Sequence, residues 1–295
     1  MEKRLCHIIA TLQVVLLLLL VSCSSSRQDE VRVVSVTILP QQYIAEQIAG
    51  EHFDIHCVVP QNSNPEAYDP TPEQLINVEK SVAYLRVGMI GFEMAWMERL
   101  SRNNPDMKIY DTSRGVELIE GVHTHTHGNG VVHATHMVDP HIWCSPDNVC
   151  IMARNICDAF VELDPEGGDY YQANYERFVR RVEQVDSLMT DILRPCKGTA
   201  FAIYHPSLTY LARDYGLQQL CIEEAGKESS ALSMRTIVDR ARDAGVEVVF
   251  VQKEFNTRQV ETFAQEIGAE VVTINPLNYD WENEMIHIAH AIARE

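Results

Sequence analysis

The sequence is short of positive charge and lacks several motifs that mark common protein classes. It has 24 Lys and Arg against 42 Asp and Glu, a formal net charge of −18, which argues against nucleic acid or an anionic membrane surface as a partner. It contains no HExxH metalloprotease motif, no GxSxG elbow and no phosphate-binding loop. None of its eight cysteines forms a CxxC pair, so cysteine spacing indicates neither a redox motif nor a cysteine-rich zinc site.

An apolar run long enough to span a bilayer is also missing near the start. The run from Leu12 to Val21 follows two basic residues and is shorter than the roughly 20 residues that a spanning helix needs. We interpret residues 1–22 as a secretory signal. The residues LVSC resemble a bacterial lipobox, so we expect cleavage before Cys23, acylation of its thiol and a tether over 23–30. An ordinary cleaved signal peptide is the alternative.

The rest of the chain has the composition of a globular protein. Apolar residues make up 46% of the sequence, which suits a sizeable core. We expect an oxidising envelope compartment, where disulfides can form. Sequence alone does not choose among pairings or free thiols for the remaining six cysteines: Cys57, Cys144, Cys150, Cys157, Cys196 and Cys221.

Short β-branched runs alternate with amphipathic segments, which predicts an α/β fold with mainly parallel sheets. One set of runs lies within 31–165 and a second within 196–295, so we expect two β/α lobes. Between them, the apolar residues of 166–195 step by four and three without proline or glycine from Asp169 to Leu193. This pattern predicts one long, rigid helix that joins the lobes.

Histidine is concentrated in one segment of the predicted first lobe. Six of the chain's twelve histidines lie between Gly121 and Trp143, and imidazole is the commonest protein ligand for zinc. We interpret residues 121–138 as a mobile loop that binds zinc loosely; a polar loop without a selected role is the alternative. The predicted collector residues are His123, His125, His127, His133 and His136.

Three further motifs place polar side chains beside prolines. They are NPEAYDPTPEQL with Glu66, DPHIWCSP with His141 and YHPSLTYLARDYG with His205. Taken singly, each side chain has an ordinary structural explanation. Together they come from both predicted lobes and from positions at strand exits, where ligands bind in open α/β sheets. This arrangement predicts a binding site in the cleft between the lobes.

The order of these motifs, continued by GKESSALSM and INPLNYDW, resembles the zinc and manganese solute-binding proteins of ABC transporters, the high-affinity zinc-uptake group in particular. The resemblance covers essentially the whole mature chain. It implies a metal site between two lobes, with a histidine-rich loop near its entrance. It also implies an ABC permease and its ATPase as partners, a lipid-anchored monomer in the bacterial periplasm, and no enzymatic activity.

The resemblance also implies a ligand set of Glu66, His141, His205 and Asn275. His141 and His205 match the family pattern, whereas Glu66 stands at a usual histidine and Asn275 at a frequent aspartate. The set carries one negative charge, as the usual set does. It suits Zn²⁺, which takes N and O ligands, while more oxygen donors admit Mn²⁺ or Fe²⁺. Asp280 is a substitute for Asn275, unless it caps the last helix.

Two other functions share these features. A zinc hydrolase also needs histidine and glutamate ligands with an open position, but Glu66 cannot readily be both ligand and general base. Glu223 and Glu224 are the remaining candidates for a base, and partners of a histidine or turn residues are their alternative roles. An adhesin or scaffold on the same fold would keep the lobes without a working metal site.

Overall fold

The computed structural model describes residues 32–126, 132–223, 229–255 and 258–295. The predicted signal, Cys23 and the tether lie outside these residues, as do His127 and Glu224. Residues Val33–Glu295 form one compact unit. Within the described residues, no helix is both long enough and apolar enough to cross a membrane.

The first lobe is a four-stranded sheet covered by helices. Its sheet has the order β2-β1-β3-β4, and β3 pairs in parallel with both β1 and β4. The elements are β1 (Arg32–Val36), α1 (Leu39–Ala49), β2 (Phe53–Cys57), α2 (Pro72–Glu79), β3 (Ala83–Arg86), α3 (Gly91–Asn103) and β4 (Lys108–Asp111).

The histidine-rich segment forms a two-stranded ribbon, so the prediction of a loop over 121–138 is wrong for most of its length. Strands β5 (Glu120–Thr126) and β6 (Val132–Val138) pair antiparallel, and His125 lies opposite His133 in the register. The Thr and Val residues of this segment favour a strand. The high content of histidine suggested a loop instead.

Two long helices follow the ribbon. The first is α4 (Pro146–Leu163), which the sequence reading did not identify. It starts at Ser145, whose side chain accepts a hydrogen bond from the backbone N–H of Asn148, with Pro146 in the first turn. The second is α5 (Gly168–Leu193), which confirms the predicted long helix. Its buried stripe includes Tyr171, Phe178, Val182, Val185, Met189 and Ile192.

The second lobe repeats the strand order of the first. Its sheet runs β8-β7-β9-β10, and β7 pairs in parallel with β8 and β9, as β9 does with β10. The elements are β7 (Ala200–Ile203), α6 (Thr209–Tyr215), β8 (Gln218–Cys221), α7 (Ala231–Asp243), β9 (Val248–Gln252), α8 (Arg258–Ile267), β10 (Glu270–Ile274) and α9 (Trp281–Ala293). The predicted α/β fold with two parallel-sheet lobes is confirmed.

Helix α5 and two tryptophans fasten the lobes together. Helix α5 packs on α1 and α4 at one side and on α9 at the other. The indole N–H of Trp143 donates to the carbonyl oxygen of Pro276 (2.9 Å), and that of Trp281 donates to the carbonyl oxygen of Trp143 (2.7 Å). Both indoles are fully buried, so these hydrogen bonds are shielded from water. The lobes therefore meet across a rigid, dry interface.

A polar cluster around Arg181 of α5 makes a second connection between the lobes. Arg181 donates to Glu282 (3.0 Å), to the hydroxyl of Tyr43 (3.1 Å) and to Gln47 (2.8 Å), while Tyr43 donates to Glu282 (2.6 Å). One guanidinium thus joins α1 of the first lobe to α9 of the second. Such a connection permits small tilts more readily than a wide opening.

We expect Trp281→Phe to lower the free energy of unfolding by about 1–3 kcal/mol, because the buried carbonyl oxygen of Trp143 loses the indole donor. Urea denaturation followed by circular dichroism measures the change. Trp96→Phe is the matched control, since Trp96 is only half buried. Equal losses in the two variants would show that the interlobe hydrogen bond adds nothing.

Candidate functional site

A narrow pocket with a cavity volume of about 10 Å³ lies between the two lobes. Both lobes contribute polar side chains to it, and apolar residues enclose them. The lining residues are Asn64, Pro65, Glu66, His141, Trp143, His205, Ser207, Glu254, Pro276 and Leu277. The structure therefore brings Glu66, His141 and His205 together, as the sequence predicts, and adds Glu254.

His141 comes from the first lobe, directly before the turn Ile142–Cys144. It is 6% exposed, and its backbone N–H and its Nδ1 both contact Oδ1 of Asp139, at 2.9 and 2.8 Å. Burial lowers the pKa of His141, but the charge and hydrogen bond of Asp139 outweigh it and raise that pKa overall. The pKa of Asp139 is lowered in turn: burial raises it, and the charge of His141 together with the hydrogen bonds from His141 and Thr209 more than offsets this.

His205 comes from the second lobe, two residues after β7. Its Nδ1 contacts Oε1 of Glu223 at 2.8 Å, which is the role of histidine partner that the sequence left open for this glutamate. Gln252, the last residue of β9, holds the backbone of His205, because its Nε2 donates to the His205 carbonyl oxygen (2.6 Å) and to Ser207 (2.9 Å). The imidazole is thus fixed at both its ring and its backbone.

The two imidazoles meet through their remaining nitrogens. Nε2 of His141 and Nε2 of His205 are 3.2 Å apart. A carboxylate only accepts hydrogen bonds, so Nδ1 of each ring is the nitrogen that donates to its carboxylate, and Nε2 is the nitrogen that faces the other ring. A cation placed between the two Nε2 atoms would contact both rings.

Glu66 is held against the start of α3. Its Oε2 accepts a hydrogen bond from the backbone N–H of Gly91 at 3.0 Å. A Cβ on Gly91 would collide with the carbonyl oxygen of Glu66, so only glycine allows this approach. Oε1 of Glu66 is buried and has no hydrogen-bond partner among the described residues. A buried, unpaired carboxylate oxygen costs free energy until a donor or cation reaches it.

Glu254 was missed by the sequence reading. It follows β9 by two residues and lines the pocket beside the histidines. Its Oε2 is also buried without a partner in the described part of the chain. Burial raises the pKa of Glu254, while the nearby charges of His205 and His141 lower it. The signal was present in the sequence, because Glu254 follows the apolar run VVFV of β9 just as His205 follows the apolar strand β7.

Asn275 and Asp280 occupy other positions. Asn275 is buried, and its backbone N–H donates to Oε1 of Glu284 (2.6 Å), but it is not among the residues that line the pocket. Its side-chain Nδ2 is buried without a hydrogen-bond partner among the described residues, so its role as a ligand stays a prediction. Asp280 is exposed at the start of α9, where it makes no side-chain cap and accepts a hydrogen bond from Asn283 instead (2.7 Å).

In the first lobe, Glu93 lies at the carboxyl ends of β1 and β3. Strands β1 and β3 lie side by side there, as β7 and β9 do in the second lobe. The buried carboxylate of Glu93 accepts from Val87 N–H (2.7 Å), from Gly88 N–H (2.7 Å) and from the hydroxyl of Thr37. The first lobe therefore has a satisfied glutamate where the second lobe has a pocket.

The described side chains are not arranged as a complete set of metal ligands. Within the four described ranges, no group of three or more His, Cys, Asp or Glu is placed to hold a metal ion as it stands. The six described cysteines are free thiols, and none of them lines the pocket. The histidine pair is in place, and the carboxylates must move toward it for an ion to be held.

The fold and the pocket together define a class: two α/β lobes on a rigid helix, with a polar binding site between them. The family model for "Zinc-uptake complex component A periplasmic" (ZnuA) matches residues 34–294. The chain belongs to this family, which confirms the resemblance found in the sequence.

Individual relatives agree with this assignment. The high-affinity zinc uptake system protein ZnuA of Bacillus subtilis is 26% identical over 86% of this chain and 81% of its own length. The manganese ABC transporter substrate-binding lipoprotein PsaA of Streptococcus mitis is 24% identical, over 86% and 84%. A crystal structure of ZnuA superposes with a TM-score of 0.81 at 35% identity and covers 90% of this chain and 99% of its own.

We expect Glu93 to make the stability of the first lobe depend on pH. Burial raises the pKa of Glu93 to about 7 from its usual 4.5, although its hydrogen bonds lower it. The contribution of Glu93 to the free energy of unfolding is therefore complete below about pH 4.5. It is lost as the pH rises through 7, and the loss is on the order of 3 kcal/mol.

Chemical denaturation of the metal-free protein at pH 5, 7 and 9 measures this loss. In Glu93→Gln the decline between pH 5 and 9 should be smaller by that amount, because the variant has no charge to bury. Identical pH profiles for the two proteins would rule out Glu93 as the source.

Proposed function

We propose that this protein is the substrate-binding component of an ABC importer. It captures a divalent metal ion, with zinc preferred, in the pocket between the lobes and delivers it to the membrane permease. One observation carries the proposal: two imidazoles, one from each lobe, with Nε2 atoms 3.2 Å apart. Membership in the zinc-uptake family supports the same function.

The spacing of the imidazoles fits a bound zinc ion. Two nitrogens at Zn–N distances of roughly 2.0–2.1 Å and a tetrahedral angle lie about 3.3–3.4 Å apart, close to the separation of the two Nε2 atoms. A zinc ion can therefore bind to both nitrogens with almost no movement of either ring.

The ligands we propose are Glu66, His141 and His205. Glu66 offers the buried Oε1 that lacks a partner among the described residues, and its other oxygen stays on Gly91. Asp139 and Glu223 hold the two rings in the tautomer that presents Nε2 to the ion. Carboxylates that accept from the second ring nitrogen also raise the basicity of a histidine ligand.

The identity of the ion depends on the balance of nitrogen and oxygen donors. Two imidazoles favour zinc, whereas each carboxylate makes Mn²⁺ or Fe²⁺ more acceptable. The relatives named above are described as zinc and manganese proteins. We propose zinc as the preferred cargo, with manganese and iron admitted because Glu66 replaces an imidazole in the family pattern.

The histidine-rich ribbon is proposed as a collector. His123, His125, His133 and His136 lie on its two strands, and His125 is opposite His133. Directly opposite residues in an antiparallel pair have Cα atoms about 4.5–5.5 Å apart. The register therefore brings the backbones of His125 and His133 close together across the two strands. Together with His127, they would bind zinc weakly and raise its concentration near the pocket.

The setting we propose follows from the family and the sequence. The partners are the ABC permease and its ATPase, and the protein is a periplasmic monomer anchored to the membrane by lipid on Cys23. We propose no catalytic role: Glu66 is used as a ligand, and Glu223 holds His205, so neither serves as the general base that a zinc hydrolase needs. The acidic net charge of −18 suits a cation binder and no nucleic acid.

We expect the metal-free protein without its first 23 residues, which precede the compact unit, to bind one zinc ion tightly. Calorimetric titration with zinc and then with manganese measures this. His205→Ala and Glu66→Ala should each weaken zinc binding by about 100-fold or more, because a lost ligand costs at least as much as a lost ligand partner.

His56→Ala is the control, since His56 is an exposed histidine that pairs with Asp54 and does not line the pocket. Its zinc affinity should equal that of the wild type. Tight zinc binding that survives His205→Ala would contradict the proposed site.

We expect a variant without residues 123–136 to keep the tight site and lose the weak ones. Val122 and His136 are opposite each other in the ribbon, so Val122 and Met137 can be joined without distorting the rest of the fold. The same titration counts the sites. A second variant, with the five collector histidines changed to serine, keeps the chain length. Weak zinc binding that persists in this variant would contradict the proposed collector.

A further inference from the structure

We propose that Glu254 supplies a fourth ligand to the metal ion, in place of Asn275. This inference rests on the proposed function and names a donor for the same pocket. It gives a site of two imidazoles and two carboxylates, with Glu66 and His141 from the first lobe and His205 and Glu254 from the second.

The position of Glu254 in the sheet is the first argument. Strands β7 and β9 are neighbours and run parallel, and each is followed, two residues after its end, by a pocket side chain: His205 and Glu254. Strand β8, which follows β7 in the chain, lies on the other side of β7, so the chain order reverses between β7 and β9. Ligands in open α/β sheets bind at such switch points.

The spacing between these two side chains is fixed by the strand ends. Gln252, two residues before Glu254, donates to the carbonyl oxygen of His205 (2.6 Å). Phe255, directly after Glu254, lies against the His205 ring with centroids 5.2 Å apart. Contacts on either side of Glu254 therefore hold its backbone near His205. Its side chain lines the pocket.

The carboxylate itself is unsatisfied. Oε2 of Glu254 is buried and has no hydrogen-bond partner among the described residues, which is also true of Oε1 of Glu66. Burying such an oxygen without a partner is costly. One divalent cation at the paired Nε2 atoms would satisfy both oxygens and neutralise both charges.

The first lobe provides an internal comparison. Glu93, at the corresponding strand ends, has three hydrogen-bond donors of its own: Val87 N–H, Gly88 N–H and the hydroxyl of Thr37. It is satisfied by protein groups and faces no histidine pair. Glu254 lacks such donors for Oε2 within the described chain, so a bound cation would supply the partner that this oxygen needs.

Asn275 is the poorer candidate. Its backbone is held by Glu284 (2.6 Å), and it is not among the lining residues of the pocket, although Pro276 and Leu277 are. Replacing its neutral amide by the carboxylate of Glu254 changes the charge of the ligand set from −1 to −2. That set balances a divalent cation fully and has more of the oxygen character that manganese prefers.

The test compares Glu254→Gln with Glu270→Gln and Asn275→Ala in calorimetric titrations with zinc and with manganese. Glu270 is an exposed carboxylate on β10 of the same lobe. We expect Glu254→Gln to weaken zinc binding by about 100-fold and manganese binding by more, because manganese depends more on oxygen ligands. Glu270→Gln and Asn275→Ala should bind as the wild type does.

A second readout separates a ligand from a residue that merely shapes the pocket. Metal-induced infrared difference spectra should show two perturbed carboxylates in the wild type and one in Glu254→Gln, and Glu254→Asp should restore the second. Unchanged zinc affinity in Glu254→Gln, or two perturbed carboxylates remaining there, would overturn this inference while leaving the proposed function intact. A wild type that binds no ion would overturn both.

Discussion

Two imidazoles from different lobes have to stay a fixed distance apart, and most of the structure around the pocket serves this constraint. Asp139 and Glu223 hold the rings by their Nδ1 atoms, and Gln252 holds the backbone of His205. The lobes are in turn held together by the indole hydrogen bonds from Trp143 to Pro276 and from Trp281 to Trp143. A shift of either lobe would change the Nε2 separation, and a zinc ion tolerates only small changes in its bond lengths.

Rigidity also limits how an ion can enter and leave. Helix α5 packs on both lobes, and Arg181 links α1 to α9 through Tyr43 and Glu282. Opening the lobes widely would break these contacts together. Small movements of Glu66 and Glu254 cost much less, because each has a free carboxylate oxygen among the described contacts. In the proposed site, the histidines would therefore provide a fixed frame, and the glutamates would close on the ion.

Much of the architecture was readable from the sequence, because it depends on local periodicity. The alternation of apolar strands and amphipathic helices predicted two α/β lobes, and the uninterrupted stripe of α5 predicted the connecting helix. The ribbon β5–β6 was misread because its histidines suggested a loop, while its pairing depends on contacts between strands. Of the candidate site, Glu66, His141 and His205 were found because each stands beside a proline in a recognisable motif.

The sequence by itself determined the two lobes, the helix between them and three of the pocket side chains, since these follow from short-range patterns. Only the tertiary structure decided that Glu254 lies in the pocket and that Asn275 is outside its lining. Both follow comparable strands, β9 and β10, and local sequence does not distinguish them. The difference comes from sheet order: β9 lies beside β7, which carries His205, whereas β10 is at the edge of the sheet. Strand pairing between distant segments sets that order, and no local pattern records it.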